Sequence, residues 1–202
     1  MHAQVIVLAG PSGSGKSRLA ERLELPVLRL DDFYKDGDDP TLPHVDLAGG
    51  EPIVDWDDPA SWNAADAVAA VEELCRTGST EVPVYEIAAN ARTGRRVLDV
   101  GRSAYFVAEG IFAQEIVGEC RRRDLVADAL CVTQHPVVTF LRRISRDLRE
   151  RRKPPFYLVR RGLHLLTDQP AVVAHAERLG CRVVSPDRAY REVTALVGSA
   201  DV

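Results

Sequence analysis

Gly10-Pro11-Ser12-Gly13-Ser14-Gly15-Lys16-Ser17 spells G-x-x-x-x-G-K-S directly behind the apolar run Val5-Ile6-Val7-Leu8. The run reads as a buried strand, and Ser17 to Leu23 continues as a helix. Strand, glycine-rich turn and helix start are the context a phosphate-binding loop needs. Glycines let the backbone bend so that successive N–H groups converge on an anion. The helix N-terminus adds partial positive charge to that nest. Lys16 can then reach the β- and γ-phosphates, and the Ser17 hydroxyl can ligate Mg²⁺. The expected nucleotide contacts are Gly10, Pro11, Ser12, Gly13, Ser14, Gly15, Lys16, Ser17 and the next helical residue, Arg18.

Outward from that loop, strands alternate with helices. Pro26–Leu30 is a short strand that ends in Asp31-Asp32-Phe33-Tyr34. Residues 36–58 have the Asp, Gly and Pro content of a loop. Ser61 can cap a helix running to about Arg76. Glu81–Glu86 and Arg96–Val100 read as two short strands forming a hairpin. Tyr105–Ala108 is a further strand closed by Glu109-Gly110, and a helix is expected from Ile111 to about Arg122. Ala127–Val132 is the next strand, and Pro136 opens an arginine-rich helix that Pro154-Pro155 ends. Two more helical patterns, a strand at Arg182–Val184 and a C-terminal helix complete the chain. This alternation predicts an α/β fold with a mostly parallel sheet covered on both faces. Sites in such sheets gather at the carboxyl ends of the strands.

At 202 residues, 46% hydrophobic and 28% charged, the chain fits one α/β domain with a small lid over about 136–155. Its net charge of −4 provides no global attraction to nucleic acid or anionic membrane. Cys75, Cys120, Cys131 and Cys181 are scattered without metal-like spacing and read as reduced, buried thiols. No signal-like or membrane-length apolar segment occurs, so a cytoplasmic protein is expected.

Two carboxylates fall at strand ends. Asp31 can accept a proton from an attacking hydroxyl or help hold Mg²⁺, or it can be a turn residue or helix cap. Glu109 can serve Mg²⁺ or merely end its strand in solvent. The stretch Arg142–Lys153 places Arg142, Arg146 and Arg149 along one helix side, with Arg143 and Arg151 elsewhere. A mobile lid supplying arginines to a phosphoryl group is the first reading of it. A solvated, ion-paired helix is the second. A nucleic-acid patch ranks last, because no aromatic residue interleaves the arginines.

In this order the motifs resemble the uridine kinase family, within the group that includes phosphoribulokinase and bacterial-type pantothenate kinase. Asp31-Asp32-Phe33-Tyr34 is similar to the family's D-S-F-Y, Trp56-Asp57-Asp58-Pro59 to its F-D-H-P, and Pro83-Val84-Tyr85-Glu86 to its P-x-Y-D. Glu109-Gly110-Ile111 matches its E-G-I, and Arg143, Arg146, Asp147, Glu150 and Arg151 fit its R-x-x-R-D-x-x-E-R lid helix. The resemblance implies a P-loop kinase fold with a β element on the substrate side, using ATP and Mg²⁺ to phosphorylate the 5′-hydroxyl of uridine or cytidine. It implies Asp31 as general base, Ser17 and Glu109 at the metal, and Lys16, Arg143, Arg146 and Arg151 toward the phosphates. It implies Asp57 on the ribose and Tyr34, Trp56 and Tyr85 around the base.

Where pyrimidine-specific members carry H-x-R, this chain has Asn90-Ala91-Arg92, so Asn90 and Arg92 are the candidate base contacts; an Asn offers a donor and an acceptor. Asp58 stands where the family often has His, and Lys153 where it often has Arg. The alternatives are a kinase for another hydroxylated metabolite, such as a phosphorylated sugar, or a nucleotide-hydrolysing regulatory protein. No N-K-x-D guanine motif is present, and Asp46-Leu47-Ala48-Gly49 lies in loop composition. A small-molecule substrate is expected, with nucleic-acid and membrane partners excluded and a homo-oligomer left open.

Overall fold

A computed structural model describes residues 3–46, 52–135, 138–139 and 169–200. The expected lid helix, with Arg143, Arg146 and Arg151, and the helical pattern that follows Pro154-Pro155 lie outside the described residues.

Five parallel strands form the central sheet: β1 (Gln4–Ala9), β2 (Val27–Arg29), β7 (Tyr105–Glu109), β8 (Val126–Val132) and β9 (Arg182–Val184), in the order β2-β7-β1-β8-β9. Two short antiparallel units stand apart from it, β3 (His44–Val45) with β4 (Ile53–Val54), and β5 (Ser79–Glu86) with β6 (Ala91–Asp99). Strand pleating splits β1 between two cores. Val5, Val7 and Ala9 face a cluster that includes α2 (Ala64–Thr77) and α3 (Val117–Arg122), while Ile6 and Leu8 face one that includes α1 (Lys16–Leu23) and α5 (Pro186–Ala200). A fourth helix, α4, covers 169–178 and sends Ala176 into the first cluster. With both faces covered, β1 has no polar side, which is why its sequence is an unbroken apolar run.

Among the described residues the expected elements are present, with local corrections. Residues 36–58 are loop-rich, yet they contain the β3–β4 ribbon. Ser61 does not cap α2. Its hydroxyl donates to the Asp58 carbonyl (2.7 Å) and closes a 3-10 turn at Pro59–Ser61. Trp62 is then held extended, its indole N–H donating to the Leu30 carbonyl at 2.6 Å, so the helix begins only after Asn63. The segment after Glu109 opens with a 3-10 turn at Ala113–Ile116 before α3. The hairpin is longer than its apolar pattern, because Gly94 and Arg95 pair in β6 although they face solvent. A bulge falls between Val84 and Tyr85.

All four cysteines are free and buried. Burial pushes the Cys75 and Cys131 thiols up to about 11 and those of Cys120 and Cys181 up to about 12. They stay protonated and act as small apolar groups. No helix among the described residues is long and apolar enough to cross a membrane.

Candidate active site

The loop between β1 and α1 bends through three glycines with positive φ: Gly10 (131°), Gly13 (85°) and Gly15 (101°). A Cβ on Gly10 would overlap the Val132 carbonyl of β8, so this corner admits only glycine. Lys16 is 8% exposed, and its ammonium donates to the Gly10 and Pro11 carbonyls at 2.7 and 3.2 Å. The side chain thus folds back across the concave face of the loop. Ser17 and Arg18 stand in the first turn of α1, where amides have no intrahelical acceptor. Ser14 Oγ is buried with no hydrogen-bond partner among the described residues. An orphaned hydroxyl inside a glycine nest at a helix start is chemistry suited to an anionic oxygen. The residues present therefore fit a phosphate group.

Sheet register brings the acids to the same end. Leu8 of β1 and Arg29 of β2 are both paired with Glu109 of β7. The Ser17 hydroxyl donates to the Glu109 carboxylate, at 3.2 and 3.3 Å from its two oxygens. Burial pushes the Glu109 carboxyl up from its ordinary range, Asp31 adds to that, and Lys16, the Ser17 hydroxyl and Arg29 oppose it. Asp31 sits in the 3-10 turn Leu30–Phe33 that follows β2, and Ile111 donates its backbone N–H to Asp31 Oδ1 at 3.0 Å. Two side chains over 90 residues apart in sequence (Ser17, Glu109) and a third from the turn after β2 thus share one strand-end cleft. Among the described residues, no three His, Cys, Asp or Glu side chains gather as a metal cage.

Beyond Asp31 lies an aromatic group. The Tyr34 ring is 5.8 Å from Trp56, 5.6 Å from Tyr85 and 5.9 Å from Phe112. The Tyr34 hydroxyl donates to the Trp56 carbonyl at 3.2 Å. Asp57 is exposed beside Trp56, its N–H donating to Asp55 Oδ1 at 3.1 Å. Arg92 is drawn into the scaffold, with Nε donating to the Tyr34 carbonyl (3.1 Å), its N–H to Asp36 Oδ1 (2.7 Å) and Nη1 lying 3.8 Å from Asp66. Asn90 is an exposed turn residue at φ 49°, and its carbonyl accepts the Gly37 N–H at 2.7 Å.

Lys16, Ser17, Asp31 and Glu109 therefore converge, as do Tyr34, Trp56 and Tyr85. Residues not foreseen join them. Phe112 completes the aromatic group, and its place two positions after Gly110 was the one available signal. Gln134 Nε2 donates to the Ser14 carbonyl (3.1 Å), while Gln169 Nε2 donates to the Gln134 carbonyl (2.8 Å), tying α4 to the loop. No motif marks either glutamine.

No family model matches the chain. It is 30% identical over 154 residues to a uridine kinase of Bacillus pumilus, covering 73% of this chain and 69% of that one. A uridine kinase of Lactobacillus johnsonii is 26% identical over 155 residues, with the same coverage. Among solved structures, a Silicibacter sp. TM1040 chain named for a fructose transport system kinase superposes with a TM-score of 0.60 at 16% identity, covering 86% of this chain and 85% of its own. That likeness supports the α/β P-loop fold alone. Glycine nest, strand-end acids and sequence relatives agree, and the chain belongs to the uridine kinase family as a P-loop small-molecule kinase.

Proposed function

We propose that this kinase transfers a phosphoryl group from ATP, with Mg²⁺, to the 5′-hydroxyl of a pyrimidine nucleoside, uridine or cytidine. The observation that carries the reading is the convergence of Asp31, with Oδ1 held by the Ile111 amide, on the same cleft as the Ser17–Glu109 pair. Asp31 is the general base, with Oδ2 left to take the hydroxyl proton. Lys16 and the amides from Gly13 to Arg18 hold the phosphates. Ser17 and Glu109 hold the metal, with Asp31 as the other candidate ligand. When bound, Mg²⁺·ATP supplies the phosphoryl group and neutralises its charge, so the protein's task is mainly positioning and electrostatics. Tyr34, Trp56 and Tyr85 wall the base, Asp57 meets the ribose hydroxyls, and Asn90 and Arg92 lie on the base side. Arg143, Arg146 and Arg151 are assigned to the phosphates on the family motif.

A second reading, a kinase for another hydroxylated metabolite, is favoured by the replacement of the family histidine with Asn90 in a left-handed turn. An acceptor panel decides between them: ADP release with ATP and Mg²⁺, followed by identification of the phosphorylated product. Uridine and cytidine are expected to accelerate release, and Lys16→Ala to abolish it. Acceleration by a sugar phosphate or pantothenate-like acid alone would select the second reading. Turnover that no hydroxyl compound accelerates would select a nucleotide-hydrolysing regulator.

A further inference from the structure

The hairpin that contributes Tyr85 to the cleft is not part of the central sheet, since β5 and β6 pair only with each other. Its bulge falls between Val84 and Tyr85. The extra residue is Thr93 of β6, so that Val84 pairs with Gly94 and Tyr85 with Arg92, which increases the local twist beside Tyr85. Asp32, 5% exposed, sits in the turn that also carries Asp31, and Tyr34 of the same loop holds its ring 5.6 Å from that of Tyr85. The Asp32 carboxylate lies 3.7 Å from Arg96 Nη2, across the hairpin from buried Val82. One buried acid therefore ties the hairpin, through Arg96, to the turn beneath it.

Such a charge has no packing justification. An apolar residue would fill the site without desolvation, and Asp32 also has a second carboxylate, Asp31, as its neighbour in sequence. A buried acid here does what an apolar side chain cannot, because it pairs with a cation carried by the hairpin. Its backbone is continuous with Asp31 on one side and, through Phe33, with Tyr34 on the other.

We propose that Asp32 and Arg96 form a latch that sets the hairpin against the Asp31–Tyr34 turn and so positions Tyr85 for the acceptor. Neither residue touches the reacting atoms; both are positioning residues. The inference rests on the reading of this cleft as the acceptor site.

Two measurements test it. Hydrogen exchange over 79–99 is expected to quicken, most around the Val82–Arg96 pair, in Asp32→Ala and in Arg96→Ala. Steady-state kinetics on those variants are expected to show the acceptor KM raised roughly tenfold with the ATP KM within about twofold of its original value. Arg96→Lys, which keeps the charge, restores most of the acceptor affinity, and Asp32→Ala combined with Arg96→Ala is no worse than the more impaired single change. Unchanged exchange around the Val82–Arg96 pair overturns the latch, as does an equal rise in both KM values, which marks general loosening. If exchange quickens but no hydroxyl acceptor is turned over even by the unaltered chain, the latch stands and the acceptor reading fails.

Discussion

Glu109 and Asp31 share a cleft but carry opposite consequences when altered. Burial holds the Glu109 carboxyl above its ordinary value of 4.5. The folded chain therefore binds that proton more tightly than the unfolded chain, and ionised Glu109 subtracts stability as pH rises from about 4.5 through the raised value. Glu109→Gln removes the buried charge while keeping an acceptor for Ser17. It should raise Tm by about 2–4 °C at pH 7.5, as ~1 kcal/mol does in a chain of this size, with the gain vanishing near pH 4. Calorimetry at the two pH values reads this, and phosphotransfer by the same variant should fall. Asp31→Asn should lower kcat by roughly 10²–10⁴-fold with little change in the ATP KM. A loss confined to nucleotide affinity would assign Asp31 to the metal instead.

The turn after β7 shows how one element disciplines another. A Cβ added to Gly110 would stand 2.8 Å from Asp31 Oδ1 and 2.9 Å from the Leu30 Cβ. The β7 end must therefore carry glycine for the β2 turn to lie against it and for Ile111 to reach the Asp31 carboxylate. Gly110→Ala should cost about 1–3 kcal/mol of stability. It should also depress kcat more than the ATP KM, because the displaced atom is the proposed proton acceptor; denaturation and steady-state kinetics on one preparation test both. The Glu-Gly-Ile triplet was legible as a strand end. The close approach it permits was not, because Leu30 and Asp31 arrive from about 80 positions earlier in the chain.

Across the whole molecule, the β2-β7-β1-β8-β9 order puts the ends of β1, β2 and β7 side by side and carries the phosphate loop between the two cores. A ligand gripped there binds only the folded chain. ATP at about 100 times its Kd should add ~2.7 kcal/mol and raise Tm by roughly 5–10 °C. Thermal denaturation reads the shift, and Lys16→Ala should lose most of it. The elements and the nucleotide loop were written in the chain itself, because apolar periodicity, glycine placement and the G-K-S signature act over a few residues. Tertiary structure alone decided which distant groups meet: Ser14 with Gln134 across 120 positions, Tyr34 with Phe112, and Asp32 with Arg96. Those pairings depend on strand order, on a one-residue bulge and on the extended Trp62 that delays α2. Each is set by the burial of side chains against remote neighbours, which no local pattern encodes.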